Sequence, residues 1–225
     1  MKVNGKTAAI ASGSAVFIGL PLLLYATGDA PRRSVLKESL SVLTLLAFSL
    51  MLSQFFLARS NVTLMALFKP RQIQSFHKVI AYGAVGVMLV HPFLIVLPRY
   101  FEAGIRPWDA LVMMVTTFES RGILLGIAAW VLLLSLAVSA YFRVDISKHL
   151  PLKYRGWRYL HSVLAICMVV AAIWHAIDLG RHTDVAMSVF FIAVTVLGVA
   201  MLAKLYWGTA SKKHPDVPKS EGTQK

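Results

Sequence analysis

The sequence predicts an all-α polytopic membrane protein, a bundle of six transmembrane helices, on three observations. Hydrophobic residues make up 57% of its 225 residues, above the roughly 45–50% usual in soluble domains. Mean hydropathy is +0.68. Charged residues amount to 15% and are missing from several stretches of about 20 residues, the length a helix needs to cross a ~30 Å hydrocarbon layer. A soluble globular fold is excluded. The one cysteine, Cys167, falls inside an apolar stretch, which excludes an intramolecular disulfide and a zinc or iron–sulfur site built on cysteines.

The elements follow in order. The first span is expected at 7–26. Lys2 and Lys6 precede it and small residues near Ala26 to Ala30 resemble a signal-peptidase site, but the apolar stretch is long for a signal sequence and reads as a retained helix. Further spans are expected at 36–58, 76–97, 122–142, 157–177 and 185–207. Pro31, Pro70, Pro98, Pro107, Pro151, Pro215 and Pro218 are placed in the gaps or tail, while Pro21 and Pro92 lie within spans, where neighbours must satisfy the freed carbonyl. The connection from Arg99 to Arg121 holds Trp108 and an apolar run, 110–118, too short to cross. It reads as an interfacial segment, placed to act as a lid. Residues 1–207 thus form one six-helix domain. Residues 208–225, polar and basic, are expected to be a disordered tail, and no extramembrane domain is expected in the chain.

Net charge is +13. In a soluble chain this would suggest nucleic acid, but here the basic residues sit between apolar spans and report orientation. Counted by alternate sides, 16 Lys and Arg fall with the N-terminus, the gaps after spans two and four, and the tail; 7 fall on the other side. By the positive-inside rule both termini are cytoplasmic, in an integral protein of what reads as a bacterial inner membrane. Lipid is therefore an expected partner and nucleic acid is not.

Four of the seven histidines lie within spans: His77 and His91 in the third, His161 and His175 in the fifth. Each pair is fourteen residues apart, which on a helix is about 40° short of four turns and a rise of ~21 Å. Each pair therefore occupies one stripe near opposite ends of its helix. The two spans run in the same direction, so His77 is expected to face His161 on the cytoplasmic half and His91 to face His175 on the outer half. Opposed imidazoles between helices suit the axial positions of a six-coordinate haem. The intervening stripes, Ala81, Ala84, Met88 and Ala165, Met168, Ala172, leave room for a macrocycle. A zinc site fits poorly, because each opposed pair offers two ligands and no Cys, Asp or Glu joins the stripe. A transporter or proton path using the histidines as titrating groups is the rival of another class.

These features resemble the ferric reductase and NADPH oxidase transmembrane superfamily, whose six-helix haem domain carries two histidines on each of its third and fifth helices. The match falls on His77, His91, His161 and His175. Trp157-Arg158-Tyr159-Leu160-His161 resembles the family's Trp-x-x-Leu-His entry, and His91-Pro92 its His-Pro variant. The resemblance implies two b-type haems, stacked across the membrane and passing single electrons to or from an outer-side acceptor. Long members carry a flavin and nicotinamide module, and no Gly-rich dinucleotide fingerprint follows a strand here. The chain is thus more similar to short members, such as the haem subunit of the bacterial methionine sulfoxide reductase system. For such a form the resemblance implies electrons from a quinone pool or from a flavin carried by a partner, with a cytoplasmic flavoprotein or a periplasmic reductase as redox partner, and no NADPH oxidation by this chain alone.

Haem propionates inside a membrane need cationic or hydrogen-bonding partners. Arg71, Lys78, Arg155 and Arg158 flank the cytoplasmic histidines, and Arg99, Arg121 and Arg181 the outer ones. Arg158 and Arg121, nearest to span entrances, are the expected propionate partners. His182 faces the outer side, where a metal substrate would arrive.

Overall fold

The computed structural model describes residues 4–116 and 120–211, with side chains through residue 207. Its elements are α1 (Gly5–Ser14), a π-helical turn (Ala15–Gly19), α2 (Leu20–Thr27), α3 (Val35–Ser53), α4 (Val62–Leu67), α5 (Pro70–Ala103), α6 (Pro107–Thr116), α7 (Arg121–Tyr141), α8 (Arg143–His149), α9 (Tyr154–Leu179) and α10 (Val185–Ser211). Six helices are long and apolar enough to cross a membrane: α1 through α2 as one continuous span, then α3, α5, α7, α9 and α10. Short polar residues start them where the first backbone N–H groups need acceptors. Ser34 Oγ accepts from Lys37 N, Ser120 Oγ from Ile123 N at 3.4 Å, and Asp184 Oδ1 from Met187 N at 2.8 Å.

The prolines show how the apolar helices keep their backbones satisfied. Pro21 has no N–H to offer the Phe17 carbonyl four residues earlier. The Ser49 hydroxyl on α3 donates to that carbonyl instead, at 2.8 Å and fully buried. The π-helical turn falls at this place. Pro70 and Pro98, expected in gaps, both lie in α5. Pro70 sits at the first helical turn, where a missing N–H costs nothing, and Pro98 is buried within the helix. At 34 residues, and ~1.5 Å rise per residue, α5 is much longer than a ~30 Å core requires. It ends at Gly104, whose φ of +65° suits a residue without a side chain and returns its N–H to Tyr100 O at 3.1 Å.

Two other boundaries move. The second span stops at Ser53 rather than 58, and a turn follows. The last helix runs to Ser211, so residues 208–211, expected in the tail, are helical; the rest of that tail lies outside the described residues. The apolar run after Trp108 forms α6, packed against α5 and α7.

Helix α3 packs along α5, and α7 along α9, while the backbones of α5 and α9 are held apart. The core that joins them includes Phe48, Leu52, Ala84, Leu133, Met168, Ala172 and Phe191. Phe48 meets Phe191 edge-on at 4.9 Å between ring centroids. Large apolar residues such as Val79, Tyr82, Trp174 and Val196 are exposed, as a lipid-facing surface requires, since acyl chains are as apolar as the side chains they meet.

Candidate paired-histidine site

The outer histidines face each other. His91 on α5 and His175 on α9 lie 6.5 Å apart between ring centroids, with ring planes 83° apart. Each ring is held through Nδ1. His175 Nδ1–H donates to Gly122 O at 2.8 Å, across to α7. His91 Nδ1–H donates to Thr44 Oγ1 at 3.4 Å, across to α3, and Thr44 spends its own hydroxyl proton on Leu40 O at 2.9 Å. With both Nδ1 atoms engaged, Nε2 is the nitrogen left on each ring for a ligand.

The close approach of α7 to α9 rests on Gly122 and Gly126, four residues apart and so on one face. A Cβ on Gly126 would lie 2.6 Å from His175 Nδ1 and 2.7 Å from its Cε1. The imidazole therefore sits in space that only glycine leaves. Nearby, Trp130 Nε1 on α7 donates to Leu89 O at 2.9 Å, in the turn just before Pro92, and ties α7 to α5 at the level of His91.

His77 and His161, the pair expected on the cytoplasmic half, are also close enough for their charges to interact. His77 approaches the main chain of Gln54 and Leu57, where α3 ends. His161 is different: its Nδ1 is buried without a hydrogen-bond partner, and its ring lies 5.1 Å from that of Trp157. Trp157 in turn donates from Nε1 to Ser139 O at 2.8 Å and stacks on Tyr154. The stripe between the pairs is buried or half-buried, with Ala84, Met168 and Ala172 in the core and Met88 and Ala165 against it.

The two expected arginines occupy different surroundings. Arg158 is half-buried one turn before His161 and leans toward α10, its Cζ 6.0 Å from the Tyr206 ring centroid. Arg121 is exposed at the first turn of α7, next to Gly122. His182 joins neither pair. It belongs to a clasp where the first span ends and the second and sixth begin. There its Nε2 lies 3.2 Å from Glu38 Oε2, at ion-pair distance without hydrogen-bond alignment, and its ring 4.7 Å from Tyr25. Tyr25 donates to Glu38, which also accepts from Arg33 N at 3.1 Å. Arg181 donates to Pro31 O at 3.0 Å. Burial pushes the His182 imidazole below its ordinary value; Arg33, Arg32 and Arg181 add to that, and Glu38 opposes it. No group of three or more potential metal ligands forms among the described residues, and the carboxylate beside His182 is that of Glu38.

Thr44, Gly122, Gly126 and Trp130 escaped the reading of the sequence as site residues. The Gly122/Gly126 spacing was the one available signal, and by itself it marks only close helix packing.

Six apolar helices among the described residues, with His91 and His175 facing each other between the third and fifth spans, define the class, a polytopic membrane protein with intramembrane histidines. The chain belongs to the ferric reductase like transmembrane component family, whose model matches residues 43–172, more than half of its length. That match takes in Thr44, His77, His91, Gly126 and His161 and ends three residues before His175. An uncharacterised protein of Archaeoglobus fulgidus is 38% identical over 164 residues, 73% of this chain and 87% of that protein. No solved structure matches. Membership of the family implies transmembrane electron transfer.

Proposed function

We propose that the chain carries single electrons across the membrane through two stacked b-type haems, the inner held by His77 and His161 and the outer by His91 and His175. The observation that carries this reading is the 6.5 Å separation of the outer imidazoles. A metal–imidazole bond of ~2.0–2.1 Å and a ring radius of ~1.1 Å on each side put two axial imidazoles about 6.3 Å apart by centroid. The donor set fits as well, because Nδ1 of His91 and His175 is committed to oxygen acceptors and Nε2 is free.

When bound, haem supplies one-electron ferric/ferrous chemistry. What this chain does is place the ligands. His77 with His161 and His91 with His175 would hold the metal from two sides, which would leave it to electron transfer rather than substrate binding. Glycine and alanine positions clear space, and the core around Phe48 and Leu133 excludes water. Arg158, one turn before His161, and Arg121, beside Gly122, would serve as propionate partners. The donor is a quinol or a flavoprotein at the membrane or cytoplasmic face, and a redox partner takes the electrons on the outer side. The setting is a bacterial inner membrane with both termini cytoplasmic.

The test is haem retention in single variants. H91A or H175A is expected to keep one haem per chain, the inner, and H77A or H161A the outer, read by pyridine haemochrome. Retention of both haems in any of the four variants would overturn the assignment of that histidine.

A further inference from the structure

We infer that Thr44 and Gly126 are positioning residues of the outer haem, Gly126 by shaping the seat of His175 and Thr44 by setting the donor strength of His91. The inference rests on the haem reading above. Thr44 meets His91 at Nδ1 and Gly126 lies against the ring of His175, so each acts through the histidine beside it.

The argument for Gly126 is steric. His175 is fixed in rotation by its 2.8 Å bond to Gly122 O, and a methyl on Gly126 would stand 2.6–3.2 Å from three of its ring atoms. The ring must then leave the hydrogen bond or shift toward His91, whose 6.5 Å spacing leaves no slack for a shared iron. The argument for Thr44 is electronic. Its hydroxyl proton is used on Leu40 O, so toward His91 it presents a lone pair and accepts the Nδ1 proton. An imidazole that donates from Nδ1 is more basic at Nε2 and favours the ferric state, which lowers the reduction potential. Both outer ligands are backed in this way. In the inner pair His161 has no such acceptor. The four histidines, alike in sequence spacing, are therefore unlike in electronic support.

The experiment is a redox titration with haem counting on the purified full chain and its T44V, T44S and G126A variants. The outer wave is assigned from H161A, which retains the outer haem alone. T44V, nearly isosteric, is expected to hold two haems, with the outer wave moved to more positive potential, the inner wave fixed, and T44S returning it toward wild type. G126A is expected to keep the inner haem and to lose outer-haem affinity by ~10-fold or more. A retained inner haem shows that the bundle has folded. Unchanged outer waves and full haem content in both T44V and G126A would overturn the inference while leaving the two-haem reading intact. A wild-type chain without haem would overturn both.

Discussion

Acid is expected to loosen the clasp around His182, and the sign follows from that one residue. Burial holds the His182 imidazole below its ordinary value of 6.5, so the folded protein refuses a proton that the unfolded chain accepts. Stability contributed by the neutral ring is fully present above about pH 6.5 and is lost as pH falls below it. The melting temperature in detergent is expected to drop between pH 7.5 and 5 in the wild type and to drop less in H182Q. Identical pH profiles would remove His182 from the account. The same residue shows what the sequence conceals at this scale. A histidine in an outer loop is exposed to solvent on paper; only the fold brings Tyr25 and Glu38, from the first two spans, against it. The four intramembrane histidines were legible because their fourteen-residue spacing is a helical property of single segments. Thr44 was not. A hydroxyl in an apolar helix ordinarily bonds its own preceding turn, as this one does to Leu40, and its second role needs the neighbouring helix to be seen.

Helix number and order were readable from hydropathy, whereas helix ends were not. Pro98 sits inside α5, and in an apolar helix such a residue is tolerated wherever neighbours meet the freed backbone groups. Ser49 does this for the carbonyl freed by Pro21. The direction of each element is a stronger expectation, because it follows from the count of 16 basic residues against 7. It places the end of α5 outside and α8 in the cytoplasm. A cysteine at Ala103 is expected to react with an impermeant maleimide in intact cells, and one at Lys148 to react only after lysis, both in a chain whose Cys167 is replaced by serine. Ala103 is chosen over Gly104, whose φ of +65° would strain any other residue. The opposite labelling pattern would invert the electron path.

At the scale of the whole molecule, the proposed arrangement would give a chain of apolar helices a path for electrons. The two histidines of each helix are separated by a ~21 Å rise, which fills much of a ~30 Å core. On the proposed reading, one haem would reach half the membrane and two in series would span most of it. α3 packs along α5 and α7 along α9, and they supply the Nδ1 acceptors of His91 and His175, Thr44 from α3 and Gly122 from α7. The central claim is thus a stoichiometry. The dithionite-reduced spectrum and pyridine haemochrome of the purified wild-type chain are expected to show sharp b-type bands and two haems per polypeptide. One haem, or none, would contradict the account.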